Sequence, residues 1–398
     1  MKILYVFLDE TKSPGVRKKV RSKINSLNNQ GIDTLGIFLN TEVKKNENNF
    51  EEKIEYVKLK IKPLSTIFNR RYLRDVKWLF ETKKYNKERY RLLSEIIEKH
   101  FFDFIIMRYP LANRELLRFV KKNKNKIIFE HNSKELVELS LSKQNKVLNH
   151  IIENEKLYGP KVLGYAKAIF GVGNEVVQYE VSRTKTNQKP NCVISNGIDV
   201  DSIDIRNLPK YDGKEIRILF LTGSPSPWVG IDIVLESLAN FSGKQDVKLY
   251  IVGPENEELI TLSSELNLNT IVDFTGSKAN DELDYYFNLC HIAFGTMAMT
   301  RVGLSEHSSL KVCEYAARGI PFVLGYDDTN FCKSKAFKPY FSKIEPKNNR
   351  IDFSQVIQFG ESVMHLPNHS AEMHKIAKEE LDSEVKMKKL KDFLIGLK

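Results

Sequence analysis

Short apolar runs of strand length alternate with amphipathic helical stretches along the whole chain, and the alternation restarts once. The first series comprises Ile3–Leu8, Thr34–Leu39, Phe104–Met107, Lys126–Phe129, Ala168–Val172 and Cys192–Ser195. Runs that are apolar nearly throughout, rather than at every second residue, are strands covered on both faces. Helices between them are the crossovers of a parallel sheet. The rhythm begins again at Glu215 with Ile-Arg-Ile-Leu-Phe-Leu-Thr222, and continues through Val247–Val252, Ile271–Thr275, Ile292–Gly295 and Pro321–Gly325. A chain of 398 residues suits two cores better than one. The fold class that follows is α/β, with two doubly wound domains. Between the series, Val193–Asp199 reads as a strand and an Asn-Gly turn, and the polar segment Val200–Gly213 carries Pro209 and Gly213 as a linker does. The expected division is residues 1–199, a linker over 200–214, and residues 215–370, with a charged amphipathic helix over about 371–398.

Composition narrows the class. Hydrophobic residues make up 41% of the chain, enough for two cores. No apolar run approaches the ~18–20 residues of a membrane helix. The first ten residues hold a short apolar run that ends in Asp9-Glu10, which reads as a buried first strand rather than a signal peptide. Cys192, Cys290, Cys313 and Cys332 show no metal-ligand spacing, as in a reduced, cytoplasmic protein. Charge is uneven. Residues 1–200 hold 39 Lys/Arg against 23 Asp/Glu, a net +16, whereas residues 201–398 hold 23 against 28, a net −5. The basic half implies an anionic partner: nucleic acid, an acidic membrane surface or a phosphate-bearing acceptor. The chain has no nucleic-acid recognition motif, so nucleic acid is not expected. Segment Leu64–Leu92 is basic and aromatic, with Phe68, Arg70, Arg71, Tyr72, Arg74, Lys77, Trp78 and Phe80. It suits either an anionic membrane surface or a core-packed helix with a solvated face. Gly171-Val-Gly173-Asn-Glu-Val176 begins like a dinucleotide fingerprint but lacks the third Gly.

The densest chemical signal is Glu306-His-Ser-Ser-Leu-Lys-Val-Cys-Glu314-Tyr-Ala-Ala-Arg-Gly319-Ile-Pro321. It reads as loop, short helix and new strand. Ser308 or Ser309 is placed to cap the helix, Gly319 to end it, and Pro321 to stop it resuming. The N–H groups of residues such as Ser308, Ser309 and Leu310, together with the dipole, make such a helix start a ready phosphate site. Lys311 adds a full charge in the first turn, and Glu314 follows about a turn later as an acceptor for sugar hydroxyls. That layout suits a nucleotide-sugar.

This context resembles the donor-site motif of retaining family 4 glycosyltransferases (glycosyl transferases group 1). The Asn196-Gly-Ile-Asp199 turn is similar to the one that closes their first domain. The resemblance implies the GT-B fold, with two Rossmann-like domains facing each other across a cleft and a C-terminal helix that crosses back onto the first. It implies a nucleotide-sugar donor, a glycan or lipid-linked acceptor, and transfer with retention, as in bacterial surface polysaccharide synthesis. Neither a dedicated metal nor another cofactor is implied. By the same resemblance Glu306 faces the donor sugar, Glu314 binds ribose, Gly276 lies along the base, and Gly15 faces the donor phosphate. Glu130 and His131, at a strand end of the first domain, are candidates to hydrogen-bond donor sugar or acceptor.

One departure stands out. Members usually carry Gly-Arg where this chain has Gly223-Ser224, and a Lys where it has Val229. Those two cations grip the diphosphate. The compensations available are the hydroxyls of Ser224 and Ser226, and the charges of Arg301 and Lys311. Two other readings fit the residues: a nucleotide-sugar epimerase or hydrolase on the same fold, and a glycosyltransferase-like protein without catalysis.

Overall fold

The computed structural model describes all residues except 9–13, 41–52, 59–70, 142–144, 185 and 187, and for 14, 40, 56, 58, 71–81 and 245 it describes the backbone. The chain divides into two units: Met1–Ile194 with Lys386–Lys398, and Ser195–Val385.

The first unit runs β1 (Lys2–Leu8), α1 (Pro14–Asn29), β2 (Asp33–Asn40), β3 (Ile54–Lys58), α2 (Arg71–Lys99), β4 (Phe104–Arg108), α3 (Arg114–Lys122), β5 (Ile127–His131), α4 (Glu135–Leu141), α5 (Lys146–Tyr165), β6 (Ala168–Gly171), α6 (Asn174–Arg183) and β7 (Asn191–Val193). Its seven strands form one parallel sheet in the order β3-β2-β1-β4-β5-β6-β7. Ile3, Leu4, Tyr5 and Val6 are all fully buried because helices cover both faces. Successive side chains of a strand point to opposite faces. Accordingly Leu4 and Val6 pack with Leu116, Phe119 and Val162, while Ile3 and Tyr5 pack with Val20 and Ile24.

The second unit runs β8 (Ile216–Leu221), α7 (Ile231–Ala239), β9 (Val247–Val252), α8 (Glu257–Glu265), β10 (Val272–Gly276), α9 (Asp281–Leu289), β11 (Ile292–Phe294), β12 (Glu306–His307), α10 (Leu310–Arg318), β13 (Phe322–Leu324), β14 (Asp327–Asp328), β15 (Phe341–Lys343), α11 (Phe353–Met364) and α12 (His369–Glu380). A last helix, α13 (Ser383–Gly396), carries the chain back into the first unit. Six strands form a parallel sheet in the order β10-β9-β8-β11-β13-β15, and β12 pairs β14 apart from it. Both units are therefore doubly wound, Rossmann-like sheets. Among the described residues, no helix is long and apolar enough to cross a membrane.

Three details differ from the sequence expectation. The units part at Ile194/Ser195, so Asn196–Asp199 belongs to the second. The segment over 200–214 is anchored rather than a free linker. Arg206 is buried in it and donates to the carbonyls of Gly319 (3.0 Å) and His291 (3.2 Å), to Ser370 Oγ (3.3 Å), and to the carbonyl of Cys290. The tail is two helices. α12 stays on the second unit, where Ser370 Oγ donates to Gly319 O at 2.9 Å. Met387, Leu390 and Leu394 of α13 pack with Ile3, Tyr5 and Ile24 of the first.

Gly319 ends α10 with φ at +80°, and a Cβ there would lie 2.4 Å from Ser370 Cα. Both the left-handed backbone and the close approach of α12 demand glycine. Gly319→Ala is expected to lower stability by more than about 1 kcal/mol in urea unfolding. An unchanged midpoint would mean that α12 shifts freely.

Candidate active site

In the second unit the strand order reverses between β8 and β11. Open α/β sheets take ligands beyond the carboxyl ends of the strands at such a point. Three pieces of chain meet there. The loop 222–230 follows β8, the loop 295–304 follows β11, and α10 begins beside them. Met297 N–H donates to Val229 O at 2.8 Å, and Ala298 N–H to Trp228 O at 3.2 Å. Gly230 sits at the seam with φ at +78°, and a Cβ on it would be 2.9 Å from Met297 Cβ. Tyr315, fully buried on α10, donates to Phe294 O and accepts from Leu221 N–H, both at 3.1 Å. One side chain thus fastens α10 across the ends of β8 and β11.

The start of α10 is built by polar groups that the sequence reading did not assign to it. Ser309 occupies the N-cap position with extended backbone, yet no side chain caps the helix. Ser308 turns inward. Its Oγ accepts from Asn196 N–H (3.0 Å) and Asn330 Nδ2 (3.2 Å), and its carbonyl accepts from Asn196 Nδ2 (2.6 Å). Asp328, almost fully buried, accepts from Ser309 N–H and Tyr326 Oη, both at 3.1 Å, and from Asn330 N–H at 2.9 Å. The expected serine cap is therefore replaced by a buried Asn196–Ser308–Asp328–Asn330 lattice. It holds the preceding loop, and among the described residues no side chain accepts from the first turn of α10.

Lys311 lies in that first turn. It is half-buried, with its ammonium 3.3 Å from Leu221 O and 5.2 Å from the centre of the Phe220 ring. Desolvation pulls its pKa down to about 7. A diphosphate beside it would restore the charged form. Glu306 is half-buried on β12, paired in register with Asp327, and accepts from Thr329 Oγ1 at 3.2 Å. Glu314, one helical turn past Lys311, accepts from Arg318 Nε at 3.1 Å through Oε1.

Residues 202–357 match the sequence profile of the family described as Glycosyl transferases group 1. The match falls within the second unit, whose own span is Ser195–Val385. No protein of curated function matches the sequence. Among solved structures, a glycosyltransferase from Rickettsia africae ESF-5 is 15% identical, with a TM-score of 0.66 over 100% of this chain and 98% of its own. Sucrose-phosphate synthase from Thermosynechococcus elongatus is 12% identical, with a TM-score of 0.68 over 100% and 98%. Anabaena Alr3699/HepE in complex with UDP and glucose is 12% identical, with a TM-score of 0.59 over 99% of each chain. Likeness at this identity speaks for the fold, which is GT-B.

The other sequence-predicted residues fall into two groups. In the loop after β8, Gly223 has open space where a Cβ would stand, and Ser224 Oγ lies 2.9 Å from Ser226 Oγ. Gly276 ends β10 with φ at +74°, and a Cβ on it would stand 3.7 Å from Glu255 Oε1. Gly15 lies in the first turn of α1 rather than in a loop, and it too has open space around it. These five residues are accessible to a ligand.

Four others are committed elsewhere. Arg301 forms a paired contact with Asp232 (3.0 and 2.7 Å) and donates to Pro227 O at 2.7 Å. It pins the 222–230 loop instead of standing free for a diphosphate. Val229 is buried in the apolar core with Ile231 and Met297, so a lysine there would bury its stem and charge. Glu130 is enclosed: Lys23 Nζ donates to it at 2.6 Å, Tyr5 Oη also donates, and Lys19 Nζ lies at 3.3 Å. Burial alone would raise its pKa, but the two lysines hold it well below the usual carboxylate range. His131 is fully buried, stacked 4.5 Å from the Tyr109 ring. The last residues of β5 lie inside a sheet covered on both faces, so neither side chain opens to a sugar.

The lattice residues carry only local turn and helix signals in the sequence. Asn196 was visible in its Asn-Gly turn, though not as a partner of Ser308. Asp328 and Asn330 look like turn formers in Tyr-Asp-Asp-Thr-Asn, and Tyr315 like one more apolar position of a short helix.

Proposed function

We propose that the chain transfers a sugar from a nucleoside diphosphate-sugar to a glycan or lipid-linked acceptor, with retention at the anomeric carbon, in bacterial surface polysaccharide synthesis. The observation that carries this reading is the start of α10. A helix N-terminus without a side-chain cap, with a lysine in its first turn, stands at the β8/β11 switch point. Backbone N–H groups and an ammonium held there stabilise a departing diphosphate, whose charge grows as the glycosidic bond breaks. With Ser224 and Val229 in place of the usual cations, and Arg301 paired to Asp232, Lys311 is the cation this reading relies on. Glu306 takes the donor sugar, Glu314 the ribose, and the backbone at Gly276 the base. The solved Alr3699/HepE complexes with UDP and with UDP-glucose make uridine nucleotides the first donors to try.

The test is turnover. A panel of nucleotide-sugars is incubated with lipid-linked and free glycan acceptors, and the anomeric coupling of the product is read by NMR. An α-configured donor is expected to yield an α-linked product. A β-linked product would remove retention. Free sugar without transfer would favour a hydrolase. The paired Arg301 and the apolar Val229 favour one rival, a chain that binds the donor without turning it over. Nucleotide binding with no product from any donor would select it.

The ribose assignment has its own check. Glu314→Gln removes charge-assisted hydrogen bonds worth ~1.5–3 kcal/mol each, so UDP affinity is expected to fall roughly tenfold or more with the fold intact. Unchanged affinity by calorimetry would place the ribose elsewhere. The basic first half further suggests peripheral attachment at the inner face of the cell membrane. Residues 64–70 of the candidate segment lie outside the described residues, and α2 begins at Arg71. Co-sedimentation with phosphatidylglycerol vesicles is expected at low salt and to be lost as salt rises. Equal binding to neutral vesicles would point to apolar contact instead.

A further inference from the structure

Around His131 the first unit buries more negative charge than it balances. β5 ends on His131, α4 carries Glu135, and α6 carries Glu180. His131 Nδ1 lies 3.3 Å from Glu135 Oε2 and 3.8 Å from Glu180 Oε1. One donor atom from each of the three residues falls within 4.8 Å of the other two. His131 and Glu180 are fully buried, and Glu135 keeps 18% of its side chain exposed.

The two oxygens of Glu180 differ. Oε2 accepts from Arg183 Nη1 at 2.7 Å. Oε1 is buried without a hydrogen-bond partner and is directed at the imidazole. The guanidinium is shared. Arg183 Nη2 also donates to Glu155, which is fully buried and accepts from Tyr109 Oη at 2.8 Å and from Ala112 N–H. Glu155 is therefore satisfied, and Glu180 is only half so. Arg183 pairs with Glu155 and Glu180, and Glu135 lies against the imidazole, so these three carboxylates and one guanidinium sum to −2 when the imidazole is neutral. Buried charge of that size calls for a counter-charge.

We propose that His131, Glu135 and Glu180 form a site for a divalent transition metal of the zinc class, tying the end of β5 to α4 and α6. Metal bonds of ~2.0–2.2 Å at tetrahedral angles set neighbouring ligand atoms roughly 3.3–3.6 Å apart. The observed 3.3 and 3.8 Å meet that with small side-chain movements. One imidazole and two carboxylates suit Zn²⁺ or Mn²⁺, whereas Ca²⁺ asks for about six to eight oxygens. A divalent ion cancels the net −2. Ligation through Nδ1 places the imidazole proton on Nε2, which is buried without a hydrogen-bond partner, and Arg183 orients the Glu180 carboxylate from behind, as outer-sphere partners do. Three protein ligands leave the fourth tetrahedral position to a water. The site lies in the unit opposite in sequence to the donor site and does not depend on the function proposed above.

The full-length chain, stripped by chelator dialysis, is titrated with Co²⁺ while its visible ligand-field absorption is followed, and with Zn²⁺ by calorimetry. One equivalent is expected to bind, and Zn²⁺ is expected to raise the unfolding temperature. Glu135→Gln, at the most exposed ligand, is the variant least prone to misfold, and it should weaken Zn²⁺ binding by tenfold or more. Glu115→Gln, on α3, should leave it unchanged. Glu180→Gln is the second ligand variant, to be read only if folded by circular dichroism. No binding by the stripped chain would overturn the proposal and assign two protons to the cluster. Binding that Glu135→Gln leaves unaltered would overturn it equally.

Discussion

Lys311→Ala is expected to weaken UDP binding by tenfold or more while uridine binding stays within about twofold. A charge-assisted contact to phosphate contributes ~1.5–3 kcal/mol, and uridine has no phosphate to lose. The pH dependence makes the assignment specific. In the free chain desolvation holds Lys311 at about 7, so at pH 8 most of it is neutral. Diphosphate binds the protonated form, so binding above pH 7 takes up a proton. UDP affinity is therefore expected to fall as pH rises from 7 to 9, approaching tenfold per unit. The terminal phosphate has a second pKa of about 6 and is already ionised over that range. Lys311→Arg keeps its charge throughout, so its profile should be flat. Equal slopes in the lysine and arginine proteins would take Lys311 out of the diphosphate site, as would equal losses for UDP and uridine in the alanine variant.

Arg206→Met should be the most damaging single change to the fold. The guanidinium is buried and joins the segment before β8 to the end of α10, the β11 approach and α12. It also meets His369 Nε2 at 3.0 Å. Only 5% of it is exposed, and that burial pulls its pKa down to about 9. Methionine fills the volume but leaves several buried carbonyls without donors, each costing about 1–3 kcal/mol. A total loss on the order of 3–5 kcal/mol is expected in urea unfolding. Arg206→Lys should recover part of it, since one ammonium reaches fewer of the acceptors. A loss below about 1 kcal/mol would mean that water replaces the guanidinium.

Much of this was legible in the sequence where local pattern and global fold agree. Strands such as Ile3–Leu8 and Val247–Val252 are apolar on both faces, and only a doubly covered parallel sheet uses such strands. Gly319 and Pro321 mark the end of α10 because backbone geometry demands them. Lys311 was legible because charge in the first turn of a helix has a local meaning. What escaped was the work of polar residues through distant partners. Ser308 looked like a cap, yet its hydroxyl is engaged by Asn196, more than a hundred positions earlier. Arg301 looked like a free cation, but Asp232 on α7 pairs with it. Arg206 sat in a segment whose Pro, Gly and charges spell linker, and nothing local shows that it is buried. Glu130 and His131 follow the same rule. A strand end suggests exposure, and only the helices packed over it reveal enclosure.

The most direct measurement is a crystal structure of the chain with UDP. The β-phosphate oxygens are expected within hydrogen-bond distance, ~2.7–3.2 Å, of Lys311 Nζ and of N–H groups in the first turn of α10, with the ribose at Glu314. A diphosphate bound elsewhere, with the first turn of α10 facing only solvent, would contradict the assignment of this helix start as the donor site.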